Sequence, residues 1–221
     1  MSIKLSHKIF AVIPVKRFES SKSRLKFWLT DESRVKLTEL LLTDTLTTLM
    51  KSTMLDTIIV VSGDERAKYA SEKVGAKFLR QDIDDGVNNA VMTADTFSIK
   101  NGAEAMIVVP SDLPLLQPEN IDLVAKTSEH CEKCIVICPS LRHDGTNILL
   151  RKPINLIRTY YDENSYSRHI QEALQIKASI FAMLSDNVMI DLDTIHDVNM
   201  LTKFDCYNST ALEFLSEITI Q

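Results

Sequence analysis

Short β-branched apolar runs alternate along the chain with longer stretches whose apolar residues recur at helical spacing. Lys8 to Pro14 predicts a first strand. Thr57 to Ser62 (TIIVVS) predicts a second, apolar on both faces as buried parallel strands are. Further strands are expected at Ala76 to Leu79, Ala105 to Pro110, Cys134 to Pro139 and Asn147 to Arg151, with a short one at Asn187 to Ile190. Helices are expected at Thr30 to Lys51, Asp64 to Val74, Val87 to Ile99, Pro118 to Lys126 and Ser165 to Ile176, with one or two more over Ile195 to Leu215. Thr30 suits the N-cap of the first, Asp31 and Glu32 suit its positive end, and Leu42, Leu46 and Leu49 give it an apolar stripe. Pro118 suits a first helical turn. Strand then helix, repeated, predicts an α/β fold: a mostly parallel sheet with helices on both faces. No Gly- or Ser-rich linker and no internal repeat divides the chain, so residues 1–221 read as a single domain.

In open α/β sheets, ligands sit beyond the carboxyl ends of the strands. Three segments there hold candidate chemistry. After the first strand comes IPVKRFESSKSRL, in which Lys16, Arg17, Lys22 and Arg24 alternate with Ser20, Ser21 and Ser23. Such cations and hydroxyls can bind a polyphosphate through charge-assisted hydrogen bonds. The loop contains no glycine, so it is not a Walker loop. Taken alone, it reads as a solvated basic loop. Asp112 follows the strand at Ala105, and Asp191 and Asp193 flank Leu192 after the short late strand. Residues two apart in extended chain point the same way, so both late carboxylates can face one point. Mg²⁺ takes oxygen ligands, commonly one or two carboxylates plus substrate phosphates. The plainer alternatives are that Asp193 or Thr194 caps the helix at Ile195, and that Asp112 fixes a turn before Pro114. Ser165 is a candidate cap for its helix, whose N-terminus would offer N–H groups to an anion, with His169 one turn on.

Composition narrows the partners. The net charge is −5, from 30 acidic and 25 basic residues, with no basic run of the kind that neutralises a nucleic-acid backbone. Nucleic acid is therefore not the expected partner. Met1 to Lys8 is polar and the apolar run Ile9 to Ile13 is far too short to span a bilayer, so no signal peptide, no membrane span and a cytoplasmic location are expected. Cys131-x-x-Cys134 lacks the second pair that structural zinc usually needs. Cys134 and Cys138 share one strand face and read as core; the fourth cysteine is Cys206.

Taken in order, these segments resemble the 2-phospholactate guanylyltransferase family of deazaflavin (coenzyme F-420) biosynthesis. The matching parts are IPVK and KSRL within Ile13 to Leu25, GVNNAV at Gly86 to Val91, VVPSDLPLL at Val108 to Leu116, GTN at Gly145 to Asn147, Tyr161 to His169, and DLDT at Asp191 to Thr194. The resemblance implies a Rossmann-like, GT-A nucleotidyltransferase fold and a homodimer. It also implies Mg²⁺-dependent joining of the GMP moiety of GTP to a small phosphoacid, with release of pyrophosphate. The acceptor would be 2-phospho-L-lactate, phosphoenolpyruvate or 3-phosphoglycerate. By the same resemblance, Pro14, Val15, Lys16, Lys22, Arg24 and Asn88 would bind the nucleotide, with Lys16, Lys22 and Arg24 as the catalytic cations. Asp112, Asp191 and Asp193 would hold Mg²⁺, and Thr146, Asp162, Ser165 and His169 would bind the phosphoacid.

The physical chemistry agrees. A phosphate monoester has a second pKa of about 6 and is mostly dianionic at neutral pH, so it needs no general base. The obstacle is bringing two anions together, which cations solve. Two departures bear on the acceptor: Asp144 and Asp162 stand where the family commonly has glycine, and unpaired they would repel an anion. They could instead pair with Arg142, Arg158 or Arg168, or face a metal. Tyr166 replaces a phenylalanine. Two other readings stay open. One is a sugar-phosphate or molybdopterin nucleotidyltransferase, though the glycine-rich opening of those proteins is missing. The other is a nucleotide-binding relative without activity.

Overall fold

A computed structural model of the chain describes residues 8–204 and 209–218. Cys206 and most of the polar segment Met1 to Lys8 lie outside the described residues. The β-branched runs form strands β1 (Ile9–Pro14), β2 (Thr57–Ser62), β3 (Lys77–Arg80), β4 (Ala105–Val108), β5 (Cys134–Pro139), β6 (Thr146–Lys152) and β7 (Ser179–Ala182). They make one seven-stranded sheet in the order β3-β2-β1-β4-β6-β5-β7. The pairs β3–β2, β2–β1, β1–β4 and β5–β7 are parallel, whereas β6 runs antiparallel to both β4 and β5. In the centre, Ile13 lies beside Val60 and Ala11 beside Ile107. The fold is the expected one, with a single reversed strand inside it.

Helices α1 (Asp31–Met50), α2 (Glu65–Val74), α3 (Val87–Lys100), α4 (Pro118–Thr127), α5 (Ser165–Gln175), α6 (Asp186–Met189), α7 (Ile195–Leu201) and α8 (Thr210–Ile218) cover the sheet. One face packs Ile9, Ala11, Ile13, Val60 and Ile107 against Leu42, Leu46 and Leu49 of α1 and Ile121 and Val124 of α4. The other packs Phe10, Val12, Ile59 and Val108 against Ala90, Val91 and Ala94 of α3. Leu212 and Leu215 of α8 are buried with Leu37 and Leu41 of α1, so this C-terminal apolar stripe serves the core. Cys134 and Cys138 are buried on β5. No helix among the described residues is long and apolar enough to cross a membrane.

Local chemistry sets the boundaries. Thr30 Oγ1 accepts from the Ser33 amide at 3.1 Å and caps α1. Pairing of β4 stops just short of the expected Pro110, because proline has no N–H to continue a ladder. Two expectations need correction. Asn187 to Ile190, expected as a strand, lies mostly in the single helical turn α6, with Val188 and Met189 turned into the core. A short apolar run does not distinguish the two states by periodicity. Ser165 does not cap α5: Asn164 precedes it in the left-handed region at φ 55°, and Ser165 is the first helical residue, buried. Strand β7 has no counterpart among the expectations, since its four residues are short, mixed and largely exposed at the sheet edge.

One buried ion pair ties the reversed strand to the helix layer. Arg151 of β6, only 1% exposed, donates to both oxygens of Asp95 on α3 at 2.9 and 2.7 Å. Burial raises the Asp95 carboxyl above its ordinary range despite Arg151. Arg151→Met should therefore destabilise the protein by about 3–5 kcal/mol in urea unfolding, through the carboxylate left behind. Asp95→Leu with Arg151→Met should recover most of that loss.

Candidate active site

The basic loop after β1 holds its shape without glycine by burying side chains. Phe18 and Leu25, in two 3₁₀ turns at Phe18–Ser20 and Ser23–Leu25, are fully buried. The Phe18 amide donates to Asp64 Oδ2 at 2.9 Å, and Arg34 Nη1 donates to the Ser21 carbonyl at 2.8 Å. Gly63, beside Asp64, is required by space: a Cβ there would lie 2.6 Å from the Gln81 carbonyl oxygen. Between the two turns Lys22 sits in the left-handed region at φ 52°, which costs a residue with a Cβ roughly 1–2 kcal/mol. That conformation turns its side chain inward, leaving 7% of it exposed.

Lys22 Nζ lies between two carboxylates, donating to Asp112 Oδ2 at 2.8 Å and Asp193 Oδ1 at 3.0 Å. Arg24 Nη1 reaches Asp193 Oδ2 at 3.3 Å. The loops bearing the carboxylates are joined directly, as the Leu192 amide donates to the Asp112 carbonyl at 2.9 Å. Thr194 and Asp197 form the capping box of α7, so Asp193 is free of that task and faces the basic loop. Burial alone would lower the Lys22 pKa, but Asp112 and Asp193 outweigh it and hold the ammonium above the ordinary lysine range. Asp193 is lowered: burial opposes ionisation, and the charge and hydrogen bond of Lys22, then Arg24, overcome it. Asp191 is pushed up to about 6 by burial and by the charges of Asp112 and Asp193. Among the described residues, no three Asp, Glu, His or Cys side chains converge closely enough to hold a metal ion. Asp112, Asp191 and Asp193 line one cleft, and Lys22 directly contacts two of them.

The cleft has a volume of about 460 Å³. Pro14, Val15, Lys16, Lys22 and Arg24 line one side, with Ser20, Ser21 and Ser23. Asp112, Asp191 and Asp193 lie at its floor, and Thr146, Asn147 and Tyr161 form the facing wall. Asn88, Asp162, Ser165 and His169 do not line it. Asn88 braces the facing wall, accepting from the Tyr161 amide at 2.9 Å and donating to Asp162 Oδ2 at 3.3 Å. Asp144 accepts from Ser140 Oγ at 2.9 Å and lies 3.7 Å from Arg142 Nε. Both aspartates that replace glycine are thus engaged outside the cleft. His169 is fully buried behind Thr146, its Nδ1 3.0 Å from Thr146 Oγ1, and its Nε2 accepts from the Tyr160 amide at 2.9 Å. Asp64 and Arg34 escaped sequence reasoning as supports of the loop; Asp64, just after β2, carried the one usable signal, a carboxylate at a strand end.

Burial, then the charge of Arg151, pushes the His169 imidazole down from 6.5 to about 4. The unfolded chain therefore takes up a proton in this window that the native state refuses. His169 gives its full contribution above pH 6.5 and loses it as the pH falls towards 4. Between pH 7 and pH 5 the loss is about 2 kcal/mol at ~1.36 kcal/mol per pH unit. In chemical denaturation, His169→Gln should lack this part of the pH dependence.

Residues 9–221 match the family described as guanylyl transferase CofC like. The 2-phospho-L-lactate guanylyltransferase of Methanobrevibacter smithii is 32% identical over 203 residues, covering 88% of each chain. The phosphoenolpyruvate guanylyltransferase of Conexibacter woesei is 31% identical over 194 residues, covering 87% of this chain and 86% of its own. Among solved structures, a protein of Desulfovibrio desulfuricans G20 assigned as a nucleotide-diphospho-sugar transferase superposes with a TM-score of 0.79 at 14% identity, over 96% of this chain and 95% of its own. That likeness is one of fold, and it agrees with the mostly parallel sheet. With a basic loop, a carboxylate floor and a polar facing wall around one cleft, the chain belongs to the CofC-like guanylyl transferase family of nucleotidyltransferases.

Proposed function

We propose that the protein joins the GMP moiety of GTP to a small phosphoacid, with Mg²⁺, and releases pyrophosphate in a step of coenzyme F-420 biosynthesis. The observation that carries this reading is the Lys22 bridge between Asp112 and Asp193, set across one cleft from Thr146. The relatives named above act on 2-phospho-L-lactate and on phosphoenolpyruvate, which supports an acceptor of that class.

Each wall has a task. Lys16, Lys22 and Arg24, with the loop serines, hold the triphosphate by charge-assisted hydrogen bonds. Lys22 can exchange carboxylate oxygens for phosphate oxygens, as both are anionic acceptors of its ammonium. The oxygen donors of the carboxylates suit a hard divalent cation in kind, and two of them already bind a cationic group, but the three would have to draw together to share one ion. Mg²⁺ held by Asp112, Asp191 and Asp193 would supply charge neutralisation between the two anions. Thr146 faces the acceptor. A phosphate oxygen of the acceptor attacks the α-phosphorus, the bond to the β-bridging oxygen breaks, and pyrophosphate leaves with the electron pair. No side chain needs to remove a proton, since the attacking group is already anionic.

The test is pyrophosphate release from each nucleoside triphosphate with Mg²⁺ and each of 2-phospho-L-lactate, phosphoenolpyruvate and 3-phosphoglycerate. Release is expected with GTP and at least one acceptor. Release only with CTP and a sugar phosphate would assign a different transfer, and none with any pair would overturn the enzymatic reading. Asp112→Asn and Asp193→Asn should each lower turnover by about 100-fold or more, the scale of losing one charge-stabilising group. Unchanged turnover and Mg²⁺ dependence would remove these residues from the metal assignment.

A further inference from the structure

Behind the facing wall, a hydrogen-bond chain has a direction that the geometry fixes. A backbone amide can only donate, so the Tyr160 N–H at 2.9 Å obliges His169 Nε2 to be unprotonated. The ring is fully buried, with Arg151 as the nearby charge and with Tyr160 and Tyr161 against its faces and edges at 6.2 and 5.3 Å between centroids. A second N–H on Nε2 would oppose the Tyr160 amide head-on, so the ring is neutral. Its single proton is then on Nδ1, which donates to Thr146 Oγ1 at 3.0 Å. A hydroxyl has one proton and two lone pairs. His169 fills a lone pair, and among the described residues no protein acceptor takes the proton. Thr146 lines the same cleft as Lys22 and the three carboxylates.

We infer that His169 is a positioning residue: it holds Thr146 so that the hydroxyl proton is committed to an anionic oxygen of the acceptor in the cleft. His169 itself does not touch the acceptor. The arrangement favours a carboxylate or phosphate oxygen, both of which only accept, over a group that must donate to the wall. Asn88, which holds the Tyr161 amide one residue beyond Tyr160, keeps the head of the chain in place. The inference rests on the reading of this wall as the acceptor side of a nucleotidyl transfer, but its first half concerns the free protein alone.

That half is tested by ¹⁵N NMR of histidine-labelled full-length protein. The expected His169 signals are an unprotonated Nε2 and a protonated Nδ1 from pH 8 down to 5.5. A protonated Nε2 in that range overturns the inference. The second half is tested by steady-state kinetics with GTP and phosphoenolpyruvate. Thr146→Val should raise the KM for phosphoenolpyruvate by about 10-fold or more, the scale of a hydrogen bond to a charged group, with the KM for GTP unchanged. Thr146→Ser should stay within about threefold of wild type. His169→Leu should raise the same KM in the wild-type background and add nothing in the Thr146→Val background, because its effect passes through that hydroxyl. An equal effect in both backgrounds means that His169 acts only through general structure and overturns the inference. If no phosphoacid supports pyrophosphate release, the transfer reading falls, and the same double-mutant cycle is read from calorimetric binding of phosphoenolpyruvate. Absence of binding to wild type then overturns this inference as well.

Discussion

Charge neutralisation at Lys22 is the constraint around which the cleft is organised. Three carboxylates lining one partly buried cleft repel one another, and burial makes each expensive unless a cation is near. The ammonium at 2.8 and 3.0 Å from Asp112 and Asp193 meets that demand for two of them. Asp191, left with the least compensation, is pushed up to about 6. The bridge also accounts for the loop that supplies it. A loop with no glycine can reach a left-handed residue only under strain, and the strain at Lys22 is held by buried Phe18 and Leu25 and by the Asp64 and Arg34 hydrogen bonds.

Much of the frame is legible in the residue pattern. The buried parallel strands appear as continuous β-branched runs, and the first helix is announced by Thr30 and its acidic first turn. The basic loop and Asp112 follow strands at the edge where ligands bind, whereas Asp191 and Asp193 follow helix α6 rather than the strand expected there. The less legible parts depend on distance in sequence. Arg151 reads as a polar strand end, and only its pairing with Asp95 explains a guanidinium in the core. Nothing near Phe18 indicates that Asp64 will receive its amide. His169 looks like an ordinary helical histidine until Tyr160 and Thr146 are brought to either side of the ring. Strand β7 and helix α6 are short, and short segments take their state from what they pack against.

The two aspartates in place of glycine illustrate a related point. Counted as charges beside an anionic substrate, Asp144 and Asp162 weigh against binding. Placed in three dimensions, one is held by Ser140 and lies near Arg142, and the other meets the Asn88 amide. Neither lines the cleft, and Thr146 keeps its hydroxyl there. Composition at a site thus says less than the direction in which each group is spent.

The reversed strand β6 gives the sheet a division of labour. The basic loop grows from β1, which is locked between β2 and β4 in the parallel half. The facing wall grows from β6, which is joined to β5 by a short local turn and ends beside the loop that leads to α5. A hairpin is a module that can be reshaped without re-registering the crossovers beside it. Such a layout lets a lineage keep one donor and explore many acceptors, and two relatives of this chain bear names that differ in the acceptor alone.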